Sequence, residues 1–251
     1  MKKVLLKNLI QTAAAILLLL LVWVIAYLCV GNPELIPAPW ESGKEFGVLF
    51  SSGGFWQGLL FTIGRVLLAF AISFVFAVVF AVIAYLYPTF NGIFTPVVSA
   101  IRSLPVLAVV LVLLAVLGAG NTPIAVAFLS LFPMLYTGVL AALSGIDKHL
   151  IEVSRVYGTS RWGRIYRVYL PLSSPYVLRE AGGALSFALK LVVSAEVVAF
   201  TARGVGGMMQ DARAFGELPQ LFALVAFIFI VGLALELATT ALALKVEEKV
   251  K

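Results

Sequence analysis

Lys148–Pro171 reads KHLIEVSRVYGTSRWGRIYRVYLP, the longest polar interval in a chain that is otherwise almost continuously apolar. Of the 251 residues, 62% are hydrophobic and only 12% charged, whereas a soluble domain is about 25% charged. On both sides of this interval lie apolar runs as long as the roughly 20 residues needed to cross a bilayer. The chain therefore reads as an all-α polytopic membrane protein. Strand-period alternation is missing, which argues against an outer-membrane barrel.

Working outward, breakers divide the apolar sequence into six spans. They fall at about Leu9–Val30, Gln57–Tyr87, Ile93–Leu117, Thr122–Gly145, Tyr176–Phe200 and Gln220–Leu244. Gly31-Asn32-Pro33, Pro88 to Gly92 and Gly118 to Asn121 supply the turns. A polar connection over 31–56 has room for a short interfacial helix around Trp40–Phe50, and a second polar interval runs from Thr201 to Pro219. The charged start MKKVLLKNLI is followed by an apolar run too long for a signal h-region, so an uncleaved first span is expected.

Basic residues orient the spans. With the N-terminus inside, Lys2, Lys3, Lys7, Lys148, Arg155, Arg161, Arg164, Arg167, Arg179, Lys245, Lys249 and Lys251 fall on the cytoplasmic side. Only Lys44, Arg203 and Arg213 fall outside. Cytoplasmic loops carry the excess of Lys and Arg, so both termini and the 148–171 segment are expected in the cytoplasm. The net charge of +6 is then a topology signal rather than a nucleic-acid footprint.

Within the segment the pattern becomes amphipathic. Leu150, Val153, Ser154 and Tyr157 share a face of one short helix that Gly158 ends. Thr159 or Ser160 can cap a second helix, on which Trp162, Ile165, Tyr166 and Tyr169 form an i, i+3, i+4, i+7 stripe. Pro171 is expected to stop that helix before Ser173-Ser174-Pro175 leads into the fifth span. A basic amphipathic loop of this kind could simply rest on anionic lipid headgroups.

The spacing points elsewhere. Glu152-Val153-Ser154, three residues, Gly158, nine residues, Val168, one residue, Leu170-Pro171 resembles the "EAA" loop of bacterial ABC-importer permeases. That motif is Glu-Ala-Ala, three residues, Gly, nine residues, Ile, one residue, Leu-Pro. Val153 and Ser154 replace its alanines and Val168 its isoleucine. Arg102-Ser103-Leu104-Pro105, Phe132-Pro133, Ala195-Glu196, Gly204-Val205-Gly206-Gly207 and Asp211-Ala212-Arg213 resemble the subgroup importing nitrate, sulfonates, taurine, bicarbonate or pyrimidine vitamin precursors.

The resemblance implies a type I ABC-importer permease fold with six transmembrane helices and cytoplasmic coupling helices. One permease domain would cover 1–251: the first helix and external loop over 1–56, then a five-helix core over 57–245 with its coupling loop at 147–171. The chain would sit in a bacterial or archaeal plasma (inner) membrane. Its implied partners are two ABC ATPase subunits, a second permease subunit as homodimer or heterodimer, and an extracytoplasmic solute-binding protein. No G-x-x-x-x-G-K-[ST] occurs, so ATP and Mg would be bound by the ATPase and no cofactor by this chain. Glu152, Val153, Ser154, Tyr157, Gly158, Trp162, Leu170 and Pro171 are the candidate coupling residues.

Charges within the spans complete the reading. A charged side chain at mid-membrane costs about 2.5–3.5 kcal/mol on insertion scales, so Arg65, Arg102, Lys190, Glu196 and Glu236 should face protein or water. Lys190, Ser194, Glu196, Arg102 and Pro105 are candidates for a substrate pathway or gate. Lys190 would favour an anionic substrate, or else pair with a carboxylate such as Glu236; Arg102 would snorkel or serve a gate. Lys190 and Glu196 are six residues apart and do not share a helix face. Gly206, Gly207, Asp211 and Arg213 are candidate contacts for the binding protein, or pack between protomers. A lone Cys29 and a lone His149 offer neither a metal cluster nor a catalytic set. A self-contained, ion-coupled secondary transporter is the rival class; it predicts an inverted repeat, and none is evident.

Overall fold

Apolar runs that cannot expose backbone to lipid must close their hydrogen bonds internally as helices. The computed structural model, which describes residues 2–250 and so leaves Met1 and Lys251 outside, is built this way. Its elements are α1 (Lys2–Val30), α2 (Pro39–Ser51), α3 (Gly53–Leu86), α4 (Pro88–Arg102), α5 (Val106–Ser144), α6 (Lys148–Val156) and α7 (Arg161–Arg164). A π turn at Ile165–Tyr169 follows, then α8 (Leu170–Val198), α9 (Val205–Ala214) and α10 (Leu218–Val250). Among the described residues no strand is present.

Among the described residues, five helical stretches are long and apolar enough to cross a membrane: Gln11–Val30, Gly53–Leu86, Val106–Ser144, Trp162–Val198 and Leu218–Ala243. The third is two arms. Gly118 sits at φ 72, ψ 169, a conformation that favours glycine. Val110 and Val126, eight residues to either side, pack into one cluster, whereas a straight helix would hold them about 24 Å apart. The chain thus reverses at Gly118, where the sequence placed a turn. The expected third span, Ile93–Leu117, is divided between α4 and the first arm of α5. The span expected to run unbroken through Pro105 stops there instead, with Pro105 at φ −68, ψ 118. Proline disfavours helical backbone at the preceding Leu104, and Arg102 closes α4 in its last turn, where a cation suits the helix dipole.

Small residues let the central helices approach. Ala69, Ser73, Ala77, Ala81 and Ala84 line the buried side of α3, the close-packing pattern of membrane helices. A Cβ on Gly182 would collide with Thr239 of α10, and one on Gly138 with Glu180 of α8. Phe94 of α4 stacks on Phe80 at 4.9 Å and meets Tyr136 edge-on at 5.4 Å, tying α4 to α3 and α5. α1 meets α10 where the Trp23 ring lies 5.5 Å from Phe222, and the Trp23 indole N–H donates to the Pro37 carbonyl at 3.0 Å.

Two further expectations are corrected. Pro171 does not end a helix: the run continues from Trp162 to Val198. Upstream, the Leu170 N–H reaches back to the Ile165 carbonyl in the wider π pitch, and the proline, which has no N–H to place in the ladder, follows directly in the first turn of α8. Ser174 then donates to the Pro171 carbonyl at 3.2 Å, the group that Pro175 leaves without its usual donor. The second correction concerns Thr201–Pro219, read as a connection. It contains α9, whose Val205, Gly206, Gly207, Met209 and Ala212 are buried.

Candidate functional site

The candidate residues gather at the two ends of α8. At one end, Asp147 opens α6 by accepting the His149 N–H at 2.9 Å. The helix closes in a Schellman turn: Gly158 adopts φ 68, and the Thr159 N–H reaches the Ser154 carbonyl at 3.1 Å. Ser160 caps the next turn, accepting from Gly163 N–H at 3.1 Å. One short helix, α6, is thus joined at Gly158 to the start of the long helical run that continues into α8.

Their apolar side chains do not all turn toward the body. Ile151 is buried and Tyr169 packs edge-on to Tyr85 at 5.9 Å. Val153 (51%), Val156 (86%), Tyr157 (83%), Trp162 (70%) and Tyr166 (65%) are exposed. Glu152 is exposed too, with Ser154 half-buried. Leu170 is exposed and Pro171 half-buried at the junction with α8. Behind α6 a cavity of about 520 Å³ opens among Asp147, Leu150, Tyr176, Arg179 and Glu180, so α6 stands off the spans.

Along α8, Gly183, Phe187, Lys190 and Ser194 are exposed and follow each other at three- and four-residue steps, so they form one open stripe. Arg102 and Pro105 are exposed at the α4–α5 break. Glu196 lies elsewhere. It is fully buried, ion-paired at 2.5 Å with Nη1 of Arg65 on α3. The Thr62 hydroxyl lies 2.8 and 3.1 Å from its two carboxylate oxygens, and the Gly206 N–H donates to Oε2 at 3.0 Å. Gly207 is buried against Thr201, while Asp211 and Arg213 are exposed on α9.

Sequence reasoning noted Arg65 and Glu196 separately and missed Thr62. Their depths carried a signal: each lies within a few turns of the same end of its span, and Thr62 shares a face with Arg65 at i, i+3. No group of three or more His, Cys, Asp or Glu suited to a metal occurs among the described residues.

A family model described as "Binding-protein-dependent transport system inner membrane component" matches residues 73–251. The chain belongs to this family. It is a permease subunit of an ABC importer, a multi-pass membrane protein working with a binding protein and with ATP hydrolysis on separate ATPase subunits. The secondary-transporter reading falls with that. Among its relatives, the taurine transport system permease protein TauC of Escherichia coli is 28% identical over 226 residues, 88% of this chain and 82% of that protein. The riboflavin transport system permease protein RibX of Chloroflexus aurantiacus is 28% identical over 222 residues, again 88% and 82%. In fold, the chain resembles a chain from a crystal structure of a bacterial ABC transporter involved in the import of the acidic polysaccharide alginate. The TM-score is 0.66 at 18% identity, covering 96% of this chain and 98% of that one. A chain from an amino acid ABC transporter gives 0.66 at 16%, covering 81% and 97%.

Proposed function

We propose that this permease forms half of a substrate pathway and receives the ATPase on the 148–171 segment. The observation that carries the reading is the set of exposed apolar side chains there: Val153, Val156, Tyr157, Trp162 and Tyr166. They have no partner in the protein's own core, and exposed apolar patches of this kind mark interaction sites. Each of two ATPase subunits, holding ATP and Mg, docks on one permease copy. Their closure moves the docked segments and rocks the pair between inward- and outward-open states. The EAA-type positions Glu152, Ser154, Gly158, Leu170 and Pro171 shape and anchor that docking surface.

A second permease copy, identical or not, faces the open stripe of α8. A lysine at mid-membrane depth requires water or protein opposite it, so Lys190 and Ser194 line the pathway between copies, with Arg102 and Pro105 at its margin. The substrate is a small anionic or polar solute, in keeping with Lys190 and with relatives named for taurine and riboflavin. The single permease domain has both termini in the cytoplasm of a bacterial or archaeal inner membrane, so α9 faces outward and its Asp211 and Arg213 meet the binding protein.

Gly158→Asp is the direct test. A side chain at φ 68 strains the turn and adds charge to the docking surface. Transport and ATPase co-purification should be lost with membrane insertion intact. Full substrate-stimulated hydrolysis by the purified complex would refute the coupling role.

A further inference from the structure

The N-terminus of α9 is capped by other helices. Its N-cap residue is Gly204, which has no side chain to offer, yet the first N–H groups of a helix have no intrahelical acceptor. Thr62 of α3 accepts from the Val205 N–H at 2.8 Å and Glu196 of α8 accepts from Gly206. The same Thr62 hydroxyl donates its proton to the Glu196 carboxylate. Arg65 Nη1 bridges Glu196 to the Arg203 carbonyl at 2.6 Å. Each member of this knot thereby has a hydrogen-bond partner in another.

The glycines follow from it. Gly204 adopts φ 138, and a Cβ there would lie 2.6 Å from the Glu196 carboxylate. A Cβ on Gly206 would lie 2.6 Å from the Val193 carbonyl. The helix that carries Glu196 runs without a break from Trp162, a length of about 55 Å. Its other end is the exposed 148–171 segment.

We infer that Thr62, Arg65 and Glu196 are positioning residues that lock α9 to α8 and α3, so that movement received at the 148–171 segment is delivered to α9 at the far end. The inference rests on the coupling reading above. Neither Thr62 nor Arg65 lies within the stretch that matches the family model, 73–251. α9 is the output of the stroke rather than a passive loop. The carboxylate is withdrawn from the pathway and acts through the backbone it holds.

The test uses the assembled transporter in membrane vesicles, with Cys29→Ser to remove the native thiol and Ala214→Cys as a reporter at the exposed end of α9. Reaction with a membrane-impermeant maleimide is timed without nucleotide and with ATP plus vanadate. The parent should show a nucleotide-dependent change in labelling rate of about fivefold or more, the lower end for coupled sites. Thr62→Val and Glu196→Ala should abolish that difference while ATPase co-purification persists, and Thr62→Ser should restore it. A nucleotide response surviving in Thr62→Val and Glu196→Ala overturns the inference alone. A parent with bound ATPase and no response overturns it as well. Loss of dependence in Thr62→Ser equal to that in Thr62→Val would also count against it. Co-purification that survives Gly158→Asp, by contrast, identifies the coupling reading as the part at fault.

Discussion

At the scale of residues, membrane depth gives each charge its role. Glu196 and Lys190 sit six positions apart on α8, one fully buried and one exposed. Removing one partner of a buried pair leaves an uncompensated charge, at a cost of about 3–5 kcal/mol. Glu196→Ala and Arg65→Ala should each lower the melting temperature in detergent markedly. The double variant should cost less than their sum, because the second substitution removes the orphan left by the first. Additive losses would mean that the pair is not coupled. Lys190 presents the opposite case: Lys190→Met should leave stability unchanged or raised while altering uptake affinity or rate for an anionic substrate. Normal uptake with normal expression would exclude Lys190 from the pathway.

At the scale of elements, hydropathy made most of the spans legible, and the residue pattern made α6 and the turn at Gly158 legible. What sequence periodicity could not carry was tertiary compensation. Pro171 looked like a stop because its missing N–H usually breaks a helix, yet the π turn before it absorbs the mismatch. α9 looked like a loop because its glycines and polar residues signal turns. Its acceptors come from α3 and α8, more than a hundred residues away along the chain for Thr62. Adjacent glycines on α8 separate local propensity from packing. Gly183→Ala meets nothing within 4 Å and Gly182→Ala collides with Thr239. The first should gain up to about 1 kcal/mol in helix propensity, and the second should lose stability despite the same gain. Equal shifts in thermal melting would mean that α8 and α10 are not in close contact at Gly182.

At the scale of the whole molecule, one long helical run joins an exposed apolar segment to a buried polar knot, with an open stripe that carries Lys190 and Ser194 between them. In the reading proposed above, the 148–171 surface takes the ATPase, the α8 stripe a second permease copy and the α9 face the binding protein. The first is the most exacting test, because Tyr157 and Trp162 are 83% and 70% exposed and so add little to the permease's own folding. The decisive measurement is co-purification of the Tyr157→Ala, Trp162→Ala double variant with its ATPase, alongside its own melting temperature. The account predicts an unchanged melting temperature with ATPase retention and ATP-driven uptake reduced at least about tenfold, the loss of about 1.4 kcal/mol or more of docking energy. Full retention of the ATPase by a normally folded double variant would contradict it.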